Sequence, residues 1–222
     1  MFYKFPSTPY IETDINITRS DKILSKNEVE DILSKPVTIE EKIDGANLGI
    51  SFNHNGELRI QNRGSYLLSP LEGQWKPLNH WLHCHEEAMF DMLVDNYILF
   101  GEWCYAKHSV YYDELPDWFI GFDIFDIKNN RFLSVQQRNH MLDKMKVTVV
   151  PQLGYGIYDV YELSQFFQKS KYGSEYCEGI YIRQDEDMYL KYRAKMVRKE
   201  FKQNITEHWS RGILKCNKIC WR

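Results

Sequence analysis

The residues best suited to chemistry in this chain lie together at Glu41-Lys42-Ile43-Asp44-Gly45-Ala46-Asn47. A lysine, a carboxylate two positions later and then a glycine present an amine beside an acid at a tight turn. In its neutral form the Lys42 amine is a nucleophile toward phosphorus, and desolvation with neighbouring cations would lower its pKa toward that form. Gly45 allows the backbone to turn closely against a ligand. A solvated lysine beside a β-turn has the same local sequence, so residues farther along the chain decide between the two. Glu102 and Asp123 each interrupt an otherwise apolar run, Tyr97-Ile-Leu-Phe-Gly-Glu-Trp103 and Trp118-Phe-Ile-Gly-Phe-Asp-Ile-Phe-Asp126. Acidic residues are rarely buried without a partner, so each either faces a site or belongs to a structural ion pair. Further on, Lys191 and Arg193 fall two apart in a strand-like run and so share a face. That pair suits a polyphosphate, with arginine as fork and lysine as point charge, or else an exposed sheet edge.

The elements that must hold these residues are legible in turn. Residues 37–42 are β-prone and residues 47–52 form a second strand, so Lys42 stands where a strand ends and the chain turns. Asn53 to Gly56 is a hairpin turn, and the alternation of 57–63 brings Arg63-Gly64-Ser65 back toward Lys42. A short helix runs from Ser25, its cap, to Leu33 and stops before Pro36; the first 36 residues read as a flap or lead-in. Residues 79–95 have helical spacing with Asn79 as cap. The two apolar strands around Glu102 and Asp123 are separated by a long loop carrying Lys107, His108, Tyr111, Tyr112 and Pro116. Ser134 and Gln137 resemble a capping box opening a helix through Met145. Residues 147–150 read as a strand and 164–169 as a short helix. Residues 178–183 and 188–193 are two strands joined by the acidic turn 184–187. From Ala194 the chain is basic and mixed, with Trp209 and Trp221, and reads as a terminal helix and tail. With no repeat, low-complexity tract or linker, the expectation is one α+β domain over 1–222, with mixed, largely antiparallel sheets and flanking helices.

Composition limits the alternatives. The 222 residues are 43% hydrophobic and 15% aromatic, enough for a sizeable core without disulfides or a structural metal. The net charge of -3 argues against a protein that coats nucleic acid through overall basicity, while leaving room for a local basic face. Five cysteines with no C-x-x-C pair fit reduced thiols. No signal peptide or membrane span is evident, so the expected location is cytoplasmic. The group His80, His83, Cys84 and His85 lacks the second cluster that would complete a tetrahedral zinc site, and Cys216 with Cys220 reads no more strongly as a metal or redox pair.

Taken together, the motifs resemble the covalent nucleotidyltransferases, the superfamily of ATP-dependent DNA and RNA ligases and GTP-dependent mRNA capping enzymes. Lys42-Ile-Asp-Gly45 resembles the first motif, Phe100-Gly-Glu102 the third and Phe119-Ile-Gly-Phe-Asp123 its aromatic companion. Glu178-Gly-Ile-Tyr-Ile182 resembles the fourth and Leu190-Lys-Tyr-Arg193 the fifth, so the resemblance spans most of 37–193. Glu41, Asn47 and Arg63-Gly64 look most like the second type of phage RNA ligase. The resemblance implies an ATP-grasp-like adenylation domain that uses ATP and Mg²⁺, or Mn²⁺, to join 5′-phosphate and 3′-hydroxyl RNA ends or to seal nicked RNA duplexes, as a monomer. In that scheme Lys42 carries AMP, Lys191 and Arg193 hold the phosphates, and Phe122 stacks on adenine. Glu102 and Glu178 organise the metal, Arg63 meets ribose or phosphate, Glu41 belongs to the cofactor site, and Asn47 meets the reacting ends. Arg193 departs from the more usual lysine, and the segment after it is shorter than the domains such enzymes append. Grip on nucleic acid is therefore expected from a basic surface of Arg193, Lys195, Arg198, Lys199 and Lys202. A GTP-dependent capping-type guanylyltransferase or a DNA ligase is the alternative within the superfamily. A non-catalytic module that binds nucleotides or RNA ends is the alternative of another class.

Overall fold

A computed structural model describes residues 2–11, 22–203 and 214–220, the side chains of 202 and 203 excepted. Two sheets form its centre. The first has the order β7 (Gln152–Gly156), β1 (Val37–Lys42), β8 (Gly179–Glu186), β9 (Tyr189–Val197). The second has the order β3 (Leu58–Gln61), β2 (Ala46–Phe52), β4 (Tyr97–Trp103), β5 (Phe119–Asp126), β6 (Arg131–Phe132). Pairings between these strands are all antiparallel. Parallel contacts occur as isolated bridges such as Gly121 with Val149. The α+β class with largely antiparallel sheets is thus confirmed.

Period-two alternation gives each sheet one apolar face. In the first sheet Val37, Ile39, Ile180, Ile182, Ala194 and Met196 are buried together with Leu33 of α1 (Lys26–Leu33) and Leu163 of α4 (Val160–Ser164). In the second, Leu48, Ile50, Leu99, Trp103, Phe119 and Ile124 pack against α2 (Leu78–Leu93) and against Leu142 of α3 (Val135–Lys144). The opposite faces of the two sheets carry polar and aromatic groups and look at one another across a cleft. A terminal helix, α5 (Lys199–Gln203), follows β9, and residues 214–220 return to the loop between β4 and β5 through bridges at Ala106–Cys216 and Leu115–Ile219.

Several local expectations shift. Ser25 caps α1 in a full capping box with Glu28, but α2 begins at Leu78 after Pro77 and Asn79 makes no cap. At α3, Ser134 accepts from the Gln137 N–H as expected. Residues 147–150 form no regular strand; one bridge at Val149 ties them to β5, and the strand proper, β7, starts two residues beyond. The short helix lies upstream of 164–169 because Asp159 and Glu162 form a capping box that starts it there. The β8–β9 hairpin is longer than the acidic run suggested, since Asp185 and Glu186 pair with Leu190 and Tyr189 and only Asp187, at φ 55, and Met188 turn. Trp209 and Trp221 lie outside the described residues. The lead-in is no detached flap: Tyr3 and Phe5 pack on Phe100, Phe125 and Phe132, and Tyr10 bridges Lys195.

Candidate active site

Strand registers assemble the site. Glu40, Tyr181 and Lys195 stand side by side across β1, β8 and β9, flanked by Arg183 opposite Arg193 and by Lys42 at the strand end. Facing them, Asn47 of β2 is directly opposite Glu102 of β4, which is opposite Ile120 of β5. At Phe122 the register slips, since Phe100 pairs with Asp123 and Gly101 with Gly121. The slip leaves Phe122 as the extra residue of a β-bulge, a device that re-aims a side chain. The result is a cleft enclosing about 360 Å³ of empty space, mouth included, walled by Phe122, Tyr181, Ile43, Ile120 and Val150 and closed by Glu40, Asp123 and Arg183.

At one end of the cleft Lys42 Nζ lies 2.6 Å from Glu178 Oε2. Burial lowers the pKa of this amine, but Glu178, Tyr181 and Glu102 outweigh burial and hold it above its ordinary value. This corrects the expectation of a lysine poised as a neutral amine: the dominant neighbours of Lys42 are anions. The K-x-D-G turn is fixed from outside. Asp44 Oδ2 accepts from the Ser109 and Val110 N–H groups at 2.6 and 2.8 Å, and the Asp44 N–H donates to the Tyr112 hydroxyl. A Cβ on Gly45 would sit 2.9 Å from the Trp103 carbonyl, so the turn passes β4 too closely for a side chain.

Glu102 and Asn47 are, among the described residues, two of the groups whose hydrogen-bonding needs the protein leaves unmet. Glu102 Oε2 and Asn47 Oδ1 are both buried without a hydrogen-bond partner. Burial pushes the Glu102 carboxyl up to about 8, with Glu178 and Asp44 adding to the rise and Lys42 and Arg63 opposing it. Two adjacent orphaned oxygens beside a second carboxylate fit a hydrated divalent cation, which takes oxygen ligands and keeps several of its waters. Among the described residues no set of three or more His, Cys, Asp and Glu side chains surrounds a common metal position.

Two side chains sit differently from what simple alternation suggests. Glu41 lines the cleft, while its carboxylate turns to the other side of β1 and accepts from the Ser170 hydroxyl and the Lys171 N–H. Its work is to hold the loop before Glu178 against β1. Lys191 falls at a second bulge, where the partner of β8 jumps from Tyr192 to Leu190, so period two does not carry from Arg193 back to it. Lys191 is paired instead with Glu186 in solvent. The cation two positions the other way, Lys195, shares the cleft face and acts electrostatically on Glu178. Sequence reasoning placed Lys195 on a duplex-gripping surface; of the alternation Lys191, Arg193, Lys195, the last two keep the register of β9 across from β8.

Arg193 holds a position in the cleft wall, bonded to Asp123 Oδ2 at 3.0 Å, with its guanidinium 3.9 Å from the Phe132 centroid. Arg63 is near enough to Glu102 to lower its pKa, and Nη2 reaches Ser7 Oγ at 3.5 Å. Phe122 is half-buried, lines the cleft and meets Phe5 edge-on at 5.2 Å. Glu40, Arg138, Arg183 and Tyr181 were not singled out from sequence. Their signal was a glutamate two before Lys42 and a charged residue ending an apolar strand, and both are common patterns. His85, from the rejected zinc group, stacks on Trp81 at 4.0 Å.

Comparison with known proteins adds independent evidence. The family model described as RNA ligase matches residues 35–202. No curated protein matches. Among solved structures, Naegleria gruberi RNA ligase with PPi is 16% identical at a TM-score of 0.62, over 92% of this chain and 64% of that one. A lysine-to-alanine mutant of that enzyme with ATP and Mn is 16% identical at 0.65, over 80% and 54%. A lysine-to-methionine mutant of it with AMP and Mn is 15% identical at 0.62, over 93% and 66%. At such identities the likeness establishes the fold, and this chain spans between about half and two thirds of the length of those structures. Because the family match takes in both sheets and every motif from Lys42 to Lys195, this chain belongs to the RNA ligase family.

Proposed function

We propose that this protein is an ATP-dependent RNA ligase in which Lys42 carries AMP. The observation that carries the reading is the Lys42–Glu178 pair at the end of an aromatic-walled cleft, faced by the orphaned oxygens of Asn47 and Glu102. Naegleria gruberi RNA ligase has been solved with ATP and Mn and with AMP and Mn, which supports the same nucleotide and a divalent ion here. The Lys42 amine, once deprotonated, attacks the α-phosphorus of ATP and displaces pyrophosphate. A 5′-phosphate oxygen then takes AMP from the lysine, and a 3′-hydroxyl attacks that 5′-phosphorus as AMP leaves. Charge accumulates on phosphoryl oxygens at each step, so positioned cations do most of the stabilising. Arg193 and Lys195 are the side chains of the cleft face suited to that task, and Phe122 and Tyr181 offer the two ring faces for the base. Glu102, Glu178 and Asn47 would hold a divalent ion through its waters; when bound it supplies positive charge to the phosphates. Arg63, beside Glu102, is left for ribose or phosphate. The five free thiols suit a reducing, cytoplasm-like compartment, and residues 1–222 are taken as one nucleotidyltransferase unit.

Incubation with α-labelled ATP or GTP, followed by a denaturing gel, tests the reading. A labelled band with ATP that is lost in both Lys42→Ala and Lys42→Arg is expected, because a guanidinium has no available lone pair. A band with GTP alone would identify a capping-type enzyme, and no band with either would identify a binding module.

A further inference from the structure

The rim beside Glu178 carries aromatic rings with cations over them. Arg198 sits 5.2 Å from the centroid of Tyr176, and Lys107 Nζ sits 5.5 Å from that of Tyr111. The two pairs form one surface. Glu175 joins them, ion-paired to Lys107 at 3.6 Å and accepting from the Tyr111 N–H at 3.0 Å. The surface is also fixed to the site: the loop of Lys107 and Tyr111 is held by Asp44 through Ser109 and Val110, and the Arg198 N–H donates to the Glu178 carbonyl. Arg198 is locked by its Nε bond to the Cys177 carbonyl at 2.6 Å. Tyr176, by contrast, is 51% exposed, a large ring that the core does not need.

Resting on the ligase reading above, we propose that this rim is the landing platform for the 5′-phosphorylated RNA end, with the terminal base stacked on Tyr176. The phosphate to be joined must reach the phosphorus on Lys42, next to Glu178. Tyr176 is two residues from Glu178, about 7 Å along extended chain, the scale that separates a nucleotide's phosphate from its base. A ring with a guanidinium over it offers both stacking and charge, the combination that binds single-stranded nucleic acid irrespective of sequence. The acid in the middle, Glu175, is neutralised by Lys107 and the Tyr111 amide. With Lys107 paired to Glu175 and Arg198 3.9 Å from the exposed Glu200, the platform offers the RNA the Tyr176 ring with the Arg198 guanidinium beside it.

The test uses the full chain and a 3′-fluorescein RNA oligonucleotide with a 5′-phosphate, either intact or abasic at its 5′-terminal nucleotide. Anisotropy should show that Tyr176→Ala weakens binding of the intact RNA about tenfold. The same substitution should change binding of the abasic RNA less than twofold, and Tyr176→Phe and Tyr176→Trp should stay near wild type. Equal weakening on both RNAs, or none on either, would overturn the platform. AMP-adduct formation, measured in parallel, should be unaffected by Tyr176→Ala. Base-dependent RNA binding by a wild-type protein that forms no adduct would support the platform and overturn the ligase reading; adduct without base dependence would overturn the platform alone.

Discussion

At the scale of single residues the central tension is at Lys42, which in the proposed reaction must lose a proton to attack phosphorus yet lies against a carboxylate that retains it. Burial by itself would favour the neutral amine; Glu178 at 2.6 Å, with Tyr181 and Glu102, reverses that preference. Glu178 therefore has two opposed effects, aiming the amine and lowering the fraction of it that is reactive. These effects set the sign of the pH dependence. With the pKa raised, neutral amine is scarce at pH 7 and increases about tenfold per pH unit until that pKa is approached. Single-turnover formation of the AMP adduct should thus climb steeply from pH 6.5 to 9 without a plateau. In Glu178→Gln the raising charge is removed while burial still lowers the pKa, so the profile should move to lower pH even as its maximum rate falls. A Glu178→Gln profile that still climbs without a plateau to pH 9, as in the wild type, would show that the proton lost before attack is not governed by this pair.

At the scale of elements, two β-bulges decide which side chains enter the cleft. One in β5 makes Phe122 the extra residue; the other, in β9, interrupts the alternation at Lys191. Lys195→Ala is accordingly expected to slow adduct formation at least a hundredfold, a loss on the scale of removing one positioned charge from a phosphoryl transition state. Lys191→Ala should leave it within threefold, because only the exposed Glu186 pairing is removed. The reverse ranking, measured with labelled ATP, would restore the simple alternation. These bulges also mark the limit of what was legible beforehand. Strands β1 and β4 appear in the sequence with their observed bounds because apolar alternation and glycine-rich turns specify a strand locally. Lys42, Asn47, Glu102 and Glu178 are brought together by short antiparallel pairings between strands that are legible in the sequence. A bulge, however, depends on how two distant strands meet, so Lys191's displacement has no local signature, whereas Glu41's direction follows from strand alternation next to Lys42. The same holds for β7, whose half-exposed Gln152-Leu-Gly-Tyr-Gly156 run has little strand character until it pairs with β1.

At the scale of the whole molecule, the two sheets are held together by a buried chain of charges. Arg138 of α3 bonds Glu40 of β1 at 2.5 Å; Glu40 is 3.9 Å from Arg183 of β8. Arg183 bonds Asp123 of β5 at 2.7 Å, and Asp123 bonds Arg193 of β9 at 3.0 Å. Asp185 acts electrostatically on Arg183 and Arg138 from beside this chain, and Arg183 Nε is buried without a hydrogen-bond partner. Such a chain adds little net stability over apolar packing, yet breaking it by removing one partner strands a buried charge, at a cost of about 3–5 kcal/mol. Asp123→Asn should therefore lower Tm by about 10 °C for a chain of this size. It should also expose the part Arg193 plays at the cleft wall. In the wild type Asp123 partly neutralises Arg193; in the variant a bound triphosphate becomes its best available anion. ATP should consequently raise the Tm of Asp123→Asn by more than it raises that of the wild type at the same concentration, since stabilisation by a ligand follows its affinity for the folded state. Thermal shifts with ATP, and with adenosine as the uncharged control, separate the outcomes. A larger ATP shift in the variant, absent with adenosine, identifies Arg193 as a phosphate-facing cation held in check by Asp123. An equal or smaller ATP shift would confine the chain of charges to joining the sheets.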